Sequence, residues 1–407
     1  MKILYVTPFF RFPPDFGLGI RNYHILECLT ERHTVLTVSY GPDSTGKTDQ
    51  WLAGRGSSCS RLSYAFPRTV SNNRWTTVRR MFYYPTASFQ RFAPTTLARR
   101  LNDLLQQHPD VDLILFDTQL VGQTLLYQAF NQPCILVMAD VYEAWFRRQV
   151  MVTGWRPFAA VYLADWLKTA LYERRILSRY RYIVTVSAND YDIVAGRDGQ
   201  SEVTLFPNGV DTAYFAPVSP QTNKEDVLLF VGAFGYGPNV DAFLYFCREI
   251  FPLLRARRPQ IKFMAVGRDP SPDMKALAER EPGITVIGAV PDVRPYYAQA
   301  SLAVIPLRLG SGLKLKTLEA FAMEVPVVST SVGCEGIVAQ DGQHLLVAST
   351  PETFADKVIW LLEHPDQAYF MARRARQLVE EQYDWQAITK SFEAYLLRIV
   401  GTKEGQG

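Results

Sequence analysis

The sequence has few cysteines, and they are scattered. Five cysteines occur among 407 residues, and no two of them form a Cys-x-x-Cys pair. An odd, dispersed set encodes neither a disulfide framework nor a zinc site, and it fits the reducing environment of the cytoplasm. We therefore expect a cytoplasmic protein whose stability rests on its hydrophobic core.

Long hydrophobic runs are also missing from the sequence. No segment approaches the ~20 apolar residues that a membrane-spanning helix needs. The first apolar run, Ile3 to Val6, is soon followed by Pro8, Pro13 and Pro14, so it is too short and broken for a signal peptide. The sequence predicts a soluble protein, or one that contacts a membrane only at its periphery.

Neither sign of charge is in large excess. The chain has 43 Lys and Arg against 40 Asp and Glu, for a formal net charge of +3. So small a charge does not indicate a nucleic-acid partner, and partners must be identified from motifs. Because paired histidines at ligand spacing are also missing, we expect no metal site and no cofactor.

Short β-rich apolar runs alternate with longer helical patterns, which is typical of a doubly wound parallel α/β sheet. Two series of strands are predicted. The first series comprises residues 3–6, 35–39, 113–116, 135–138, 183–186 and 203–206. The second series comprises residues 227–231, 263–266, 284–287, 302–305, 327–329 and 345–347.

A chain of 407 residues exceeds what one core usually fills, so we predict two Rossmann-like domains. The N-terminal domain spans 1–215, a polar linker spans 216–226, and the C-terminal domain spans 227–383. Residues 384–407 form a helix that packs back towards the N-terminal domain, followed by a tail. The two sheets are expected to face each other across a cleft, where open α/β sheets bind ligands.

The segment from Gly41 to Thr48 matches the P-loop pattern, with Gly46 and Lys47 in the required places. A working P-loop needs a helix that starts at its Lys-Thr pair, because the amides of that helix hold the phosphates. The residues after Thr48 are rich in Gly and Ser and show no lasting apolar period. We therefore expect a polar turn here and keep a P-loop nucleoside triphosphatase only as an alternative.

A second candidate for phosphate binding lies between residues 306 and 322. Gly310 and Gly312 follow a predicted strand and allow backbone amides to approach a ligand closely. Apolar residues at helical spacing then predict a helix that begins near Gly312. Lys314 and Lys316 fall in its first turn, where cations are unfavourable by about 0.3–1 kcal/mol each unless an anion is bound.

Glu319 follows Lys316 by three residues, so the two side chains share one face of the predicted helix. The lysines can hold a diphosphate while the carboxylate accepts hydrogen bonds from ribose hydroxyls. The alternative is a solvated ion pair on an ordinary surface helix.

Several short motifs follow one another in a specific order along nearly the whole chain. They are Thr7-Pro8 with Gly17, Gly19 and Arg21; Phe206-Pro207-Asn208-Gly209-Val210-Asp211; Val231-Gly232-Ala233-Phe234; Val266-Gly267-Arg268; Gly288-Ala289-Val290; and Glu319-Ala320 with Val325-Pro326. In these motifs the sequence resembles the retaining GT-B glycosyltransferases of group 1, family 4 type, which include bacterial mannosyl- and glucosyltransferases.

The resemblance implies that the C-terminal domain binds a nucleotide diphosphate sugar and that an N-terminal glycine-rich loop closes over its phosphates. The residues it assigns to the donor, together with those read from the segment above, are Gly17, Gly19, Gly232, Phe234, Asn239, Arg268, Val290, Gly312, Leu313, Lys314, Lys316 and Glu319.

Two positions depart from the family pattern. Many relatives carry a second glutamate eight residues before the ribose-binding one, where this chain has Ser311. The loop after the first strand of the C-terminal domain often supplies Arg and Lys, where this chain has Ala233 and Asn239. Neutralisation of the diphosphate is therefore expected from Arg308 and the two lysines, and the contacts to the transferred sugar differ from those of relatives.

Sugar transfer places negative charge on the departing diphosphate, which the enzyme must stabilise. We predict that Arg308 and Lys316 do so without a metal ion. The resemblance implies retention of the anomeric configuration, through front-side attack in which the leaving phosphate takes the acceptor proton.

Acceptor binding is expected in the N-terminal domain. Asp117, Asp140 and Glu143 follow predicted strands and are candidates to orient or deprotonate the acceptor hydroxyl, with Asp140 as the catalytic candidate. Acidic residues at strand ends are also common in turns and caps. Arg147 is a candidate to bind an acidic or lipid-phosphate acceptor, or it belongs to a solvated helical face.

The sequence thus predicts a hexosyltransferase of polysaccharide biosynthesis that acts on a glycan, a lipid-linked acceptor or a small-molecule hydroxyl. Two alternatives remain: the P-loop nucleoside triphosphatase and a non-catalytic protein that binds a nucleotide or a sugar. The aromatic and arginine-rich stretch 141–172 is interpreted either as covered core or as an acceptor- or membrane-facing surface.

Overall fold

A computed structural model describes residues 1–14, 17–41, 45–63, 89, 91–92, 94–153, 159–197, 200–217, 226–310 and 312–404. The chain forms two compact units. The first comprises Met1–Pro207 together with Thr389–Gly407, and the second comprises Asn208–Ile388.

The boundary at Pro207 lies eight residues before the predicted end of the N-terminal domain at 215. Residues after Pro207 are bound by the second unit, because Arg376 donates hydrogen bonds to the carbonyl oxygens of Thr212 and Phe215, at 2.9 and 2.6 Å. The predicted linker therefore begins inside the second unit, and its residues 218–225 lie outside the described residues.

The first unit contains a seven-stranded parallel sheet in the order β3-β2-β1-β4-β5-β6-β7. The strands are β1 Lys2–Thr7, β2 Thr34–Tyr40, β3 Ser58–Leu62, β4 Leu113–Asp117, β5 Cys134–Met138, β6 Tyr182–Thr185 and β7 Glu202–Leu205. Six of them were predicted. The prediction missed β3, because this edge strand is mostly polar and lacks an apolar run.

The helices of the first unit are α1 Gly17–Arg32, α2 Lys47–Ala53, α3 Pro94–Gln107, α4 Gln119–Gly122, α5 Tyr142–Thr153, α6 Ala159–Leu177 and α7 Ala188–Ala195, with a 3₁₀ turn at Gln123–Leu126. Separate apolar clusters fill the space above and below the sheet. Alternate residues of the central strands feed the two clusters, since Leu4 and Val6 belong to one and Ile3 and Tyr5 to the other.

The second unit contains a six-stranded parallel sheet in the order β10-β9-β8-β11-β12-β13. Its strands are β8 Val227–Val231, β9 Lys262–Val266, β10 Ile284–Ile287, β11 Leu302–Ile305, β12 Val327–Ser329 and β13 Leu346–Val347. All six were predicted, with ends that differ by one residue at most. The fold class predicted from the sequence, two Rossmann-like parallel-sheet domains, is confirmed.

The helices of the second unit are α8 Gly237–Tyr245, α9 Phe251–Arg257, α10 Pro272–Arg280, α11 Arg294–Gln299, α12 Leu315–Ala322, α13 Pro351–Glu363 and α14 Pro365–Gln382, with a π-helical turn at Phe246–Ile250 between α8 and α9. None of the helices in the described part of the chain is long and apolar enough to span a membrane.

The last helix, α15 Trp385–Glu404, begins in the second unit and continues in the first. Phe392, Leu396 and Ile399 are buried in the core of the first unit. Glu393 lies beside them and contacts His33 at 2.8 Å, between Oε1 and Nε2. The C-terminal segment thus supplies one side of the first unit's core.

The P-loop candidate requires a correction, because a helix does begin at Lys47 where a polar turn was expected. Thr48 and Leu52 form the buried face of this short helix. The hydroxyl of Thr48 accepts a hydrogen bond from the backbone N–H of Phe12 at 3.1 Å. A P-loop hydroxyl instead binds the metal ion of the nucleotide. The triphosphatase alternative is therefore disfavoured by the burial of Thr48, and residues 42–44 of the motif lie outside the described residues.

Two neighbouring leucines of α15 test whether this helix stabilises the first unit. Leu396 is fully buried, whereas Leu397 is 47% exposed. We expect Leu396→Ala to lower the free energy of unfolding by about 2–5 kcal/mol, because it removes buried methyl groups and leaves a cavity. Leu397→Ala, the matched control, should change it by less than about 0.5 kcal/mol. Urea unfolding followed by circular dichroism makes the measurement, and equal effects of the two changes would contradict the packing of α15.

Candidate active site

The candidate site lies in the second unit, at the carboxyl ends of β8 and β11. These adjacent central strands form the point where the strand order reverses, because β9 and β10 lie on one side and β12 and β13 on the other. Open α/β sheets bind ligands at such switch points. Gly232 follows β8, and the loop that contains Gly310 and Gly312 follows β11.

The loop after β11 continues further than predicted, since α12 begins at Leu315 and not near Gly312. Gly310 and Gly312 have φ angles of 120° and 70°, which glycine adopts readily and which delay the start of the helix. Lys314 is therefore the N-cap residue, and only Lys316 lies in the first turn. Ser311 lies outside the described residues.

The Lys314 side chain turns back towards its own loop. Its amine donates to the carbonyl oxygen of Gly312 and lies 3.8 Å from the carboxylate of Glu335. With 8% of its surface exposed, Lys314 closes the loop and stabilises its conformation.

The Lys316 amine is the most distinctive feature of the site. It donates a 2.6 Å hydrogen bond to Oδ1 of Asn239 and lies 4.6 Å from the centre of the Phe230 ring. Asn239 is itself fixed, because its Nδ2 donates to the carbonyl oxygen of Ala233 at 2.8 Å. Burial lowers the pKa of Lys316 to about 7; the charge of Lys314 adds to this effect, and that of Glu319 opposes it.

Two glycines make room for this arrangement. A Cβ atom at Gly232 would lie 2.9 Å from the Lys316 amine and 3.0 Å from Nδ2 of Asn239. A Cβ atom at Gly267 would lie 1.7 Å from the carbonyl oxygen of Gly232. The backbones of the loops after β8 and β9 are therefore in contact. The space above Gly232 is occupied by the side chains of Lys316 and Asn239.

Glu319 lies on α12, one turn after Lys316, as the sequence predicted. Its Oε2 accepts a 3.1 Å hydrogen bond from the hydroxyl of Tyr297, which is 1% exposed. Burial raises the pKa of Glu319, while the Tyr297 hydrogen bond and the charge of Lys316 lower it. A carboxylate has about four acceptor sites, so Glu319 retains the capacity to accept hydrogen bonds from ligand hydroxyls.

Arg308 has other partners in this structure. Its guanidinium makes two hydrogen bonds to Asp241, at 3.1 and 2.6 Å, and its central carbon lies 4.3 Å from the centre of the Tyr245 ring. The side chain is 49% exposed. The structure thus groups Lys316, Asn239 and Glu319 but pairs Arg308 with an acid. The contact of Arg308 with a diphosphate stays a prediction.

The other predicted donor residues in this unit surround the same edge of the sheet. Phe234 and Leu313 are buried, with 2% and 7% of their surfaces exposed, so their side chains support the loops from within the core. Arg268 and Val290 are partly buried and follow β9 and β10. The backbone N–H of Phe234 donates to the carbonyl oxygen of Arg268 at 2.8 Å, which connects the two loops.

Gly17 and Gly19 lie in the first turn of α1 and not in a loop before it. The glycines are at its positive end, where anions are favoured. Gly17 is exposed and Gly19 is buried, so only Gly17 is open to solvent.

Asp117 was predicted to face an acceptor, but its side chain is fully buried at the strand-order switch of the first sheet. Its Oδ2 accepts from the hydroxyl of Thr7 at 3.0 Å, and its Oδ1 lies 3.5 Å from the guanidinium of Arg21. Desolvation raises the pKa of Asp117, and Arg21 counteracts the rise. An acceptor has no access to this carboxylate, which instead pairs an arginine that is itself 2% exposed.

The remaining acceptor candidates have different surroundings. Glu143 is bound by the guanidinium of Arg197 and by Nε1 of Trp166, the latter at 3.2 Å, so its carboxylate stabilises the packing of α5. Asp140 is partly buried and precedes α5, and Arg147 is exposed on that helix. Asp140 and Arg147 therefore stay candidates for contact with the acceptor.

Glu173 is a buried charged residue that the sequence interpretation overlooked. It accepts hydrogen bonds from the backbone N–H groups of Tyr142 and Glu143, at 2.9 and 3.2 Å, and from the side chain of Gln119 at 3.1 Å. It thereby caps the start of α5 and fixes the turn that holds Asp140. Burial raises its pKa to about 7. The sequence did contain a signal for this residue, because Glu173 lies on the apolar face of a predicted helix, where an acid is unexpected.

The sequence contains two Asp-x-Asp tripeptides, and such tripeptides can form metal sites. Asp112 accepts from the backbone N–H of Lys2, and Asp190 pairs with the hydroxyl of Ser187 at the start of α7. Within the described residues, no group of three or more His, Cys, Asp or Glu side chains is arranged to hold a metal ion.

Comparison with known proteins supports the assignment of the second unit. Residues 225–364 match the family described as glycosyl transferases group 1. A 44.6 kDa protein of unknown function from the cps region of Klebsiella pneumoniae is 26% identical over 171 residues. The matched region covers 40% of this chain and 44% of that protein, which is less than half of the relative's length.

Two solved structures share the fold over nearly the whole chain. Sucrose-phosphate synthase from Thermosynechococcus elongatus has a TM-score of 0.75 at 16% identity, and the match covers 98% of this chain and 99% of that one. The Anabaena protein HepE, in complex with UDP and glucose, has a TM-score of 0.64 at 15% identity, covering 97% and 99%. The matched family and the shared fold confirm the resemblance seen in the motifs: residues 225–364 match glycosyl transferases group 1 of the family 4 type, and the chain has the GT-B fold.

Proposed function

We propose that this enzyme is a retaining, metal-independent hexosyltransferase whose C-terminal domain binds a nucleotide diphosphate sugar. The observation that carries the proposal is the partly buried Lys316 amine, one helical turn from Glu319 at the strand-order switch. The acceptor is a glycan, a lipid-linked or a small-molecule hydroxyl, bound by the N-terminal domain. Cytoplasmic location, a role in polysaccharide biosynthesis and contact with a membrane periphery belong to the same proposal.

The electrostatics of Lys316 favour a diphosphate as its ligand. Its amine is held by the neutral Asn239 and the Phe230 ring, and burial disfavours its charged form. A diphosphate would restore that charge and accept the remaining amine protons. Glu319 lies on the same face of α12 at a distance suited to the ribose of the same ligand. The UDP bound to HepE, a protein of the same fold, is consistent with a nucleoside diphosphate donor.

We propose the reaction that the family resemblance implies, with the residues of this site in the following roles. The acceptor oxygen forms a bond to the anomeric carbon as the bond from that carbon to the diphosphate breaks. The electron pair of the broken bond stays on the diphosphate, where the Lys316 cation stabilises it. The acceptor proton passes to an oxygen of the departing phosphate, on the same face of the sugar, so the configuration is retained. Asp140 is proposed to orient the acceptor hydroxyl.

A non-catalytic protein that binds a nucleotide or a sugar would not release nucleoside diphosphate. Incubation with a panel of nucleotide sugars tests this directly, because a transferase should also transfer its sugar slowly to water. Release of nucleoside diphosphate with one member of the panel supports the transferase and identifies its donor.

One prediction of the proposed function concerns metal ions. We expect a nucleoside diphosphate to raise the melting temperature in the presence of a chelator, because Lys316 can bind the diphosphate directly. Saturation at about a hundredfold the dissociation constant should stabilise the protein by about 2.7 kcal/mol. A shift in melting temperature that appears only with magnesium or manganese would contradict metal independence.

The pKa of Lys316 predicts a pH dependence for donor binding. Below pH 7 the amine is charged in the ligand-free protein, and its contribution to the affinity is constant. Above pH 7 the neutral amine must take up a proton on binding, so the affinity falls by up to about tenfold per pH unit until the pKa of the bound state is passed. Calorimetry at pH 8, in buffers of different ionisation enthalpy, should show uptake of up to one proton per nucleotide sugar.

The diphosphate of a nucleotide sugar is a diester and has no proton to exchange in this range, so uptake reports on the protein. Lys316→Arg is the matched variant, because a guanidinium stays charged at pH 8 and should take up no proton. Proton release by the wild type, or equal uptake by both proteins, would show that Lys316 does not bind the diphosphate.

Three single substitutions compare the two candidate phosphate sites. Lys316→Ala removes a charge-assisted contact worth about 1.5–3 kcal/mol and should lower the transfer rate tenfold or more. Lys47→Ala, at the exposed start of α2, should have little effect. Glu319→Ala should chiefly raise KM for the donor, with a smaller change in kcat. If Lys47→Ala abolished turnover while Lys316→Ala remained active, the active site would lie elsewhere.

A further inference from the structure

Helix α6 exposes a row of leucines on the first unit. Leu163, Leu167 and Leu171 are 42%, 53% and 62% exposed. They are four residues apart, so they span about 80° of the helix circumference and form one continuous apolar stripe. Single exposed leucines are ordinary, but three on one helical face indicate an interaction surface.

Cations share this exposed face. Lys168 is partly buried, and Arg174 and Arg175 are exposed. At about 100° per residue, Arg174 lies within the leucine stripe, and Arg175 and Lys168 lie along one border of it. The two acidic residues of α6 are elsewhere: Asp165 is partly buried beyond that border, and Glu173 is fully buried.

The opposite face of α6 is held firmly by the first unit. Tyr172, Ile176 and Leu177 are buried in its core, and the Tyr172 hydroxyl donates to Oε1 of Gln123 at 2.6 Å. Glu173 binds the start of α5, which packs along α6. The leucine stripe is therefore presented on an anchored helix and not on a fraying segment.

We propose that this face of α6 binds the surface of an anionic membrane. A helix that combines a leucine stripe with lysine and arginine, and with no fully exposed acid, matches a bilayer in which acyl chains lie beneath anionic headgroups. The leucines enter the boundary between headgroups and acyl chains, and the cations reach the phosphates. This inference assigns the membrane contact included in the proposed function to one surface, the exposed face of α6, and it does not depend on sugar transfer.

Vesicle sedimentation of the full chain tests the proposal. We expect the protein to sediment with vesicles that contain phosphatidylglycerol, and less with pure phosphatidylcholine. Replacing Leu163, Leu167 and Leu171 together by serine should reduce the partition coefficient on the order of a hundredfold. Leu397→Ser, which alters a leucine of the same unit with 47% exposure, is the matched control and should bind as the wild type does.

A second variant tests the electrostatic part. Replacing Lys168, Arg174 and Arg175 together by glutamine should weaken binding to anionic vesicles roughly fivefold per charge and reduce its salt dependence. The melting shift produced by nucleoside diphosphate should be unchanged in both triple variants, which shows that the second unit is intact and keeps this test separate from that of sugar transfer.

Three results would overturn the proposal. They are failure of the wild type to sediment with anionic vesicles, unchanged sedimentation of the leucine variant, and a dimer in light scattering that the leucine variant converts to a monomer. The last result would assign the stripe to an interface between two copies of the chain.

Discussion

The partly buried amine of Lys316 is the constraint on which the candidate site depends. Lys316 reaches Asn239 only because Gly232 has no side chain, and Gly232 in turn touches Gly267. Three loops, those after β8, β9 and β11, are thus fitted around one amine. Burial lowers the pKa of Lys316 to about 7, because this environment replaces water poorly for the cation. An anionic ligand would relieve that deficit, so under the proposed function one interaction serves both donor binding and stabilisation of the leaving group.

The two sheets differ in how accessible the charged side chains at their strand-order switches are. In the first unit, Asp117 is sealed in the interior with Arg21 and Thr7. Such a pair offers nothing to a ligand, and its worth is mainly structural, because removal of either partner would leave a buried charge. In the second unit, Lys316 has a neutral hydrogen-bond partner and a partly buried acid one turn away. Only the second arrangement leaves charge available for a diphosphate.

The sequence predicted the fold well, because buried parallel strands are continuous apolar runs and helices bridge them. It missed β3, whose polar residues lie at the sheet edge, and α2, whose seven residues are too few to show a period. Site residues were harder to predict. Spacing along α12 placed Lys316 and Glu319 on one face, but the partner that holds the lysine, Asn239, is 77 residues away in the sequence. The burial of Asp117 also argues against its contact with an acceptor. This burial could not be predicted from the position of the residue at the end of a strand.

Asn239 shows how a departure from the family pattern can be compensated. The family resemblance implies a lysine at this position in many relatives, whereas this chain places the amide oxygen of Asn239 against the amine of Lys316. The cation thus approaches the same loop from another helix. A lysine at position 239 would add a second positive charge beside Lys316, and two like charges that are close and poorly solvated destabilise each other. The asparagine and the lysine are therefore best understood as one unit, in which the amide of Asn239 holds the amine that is proposed to bind the diphosphate.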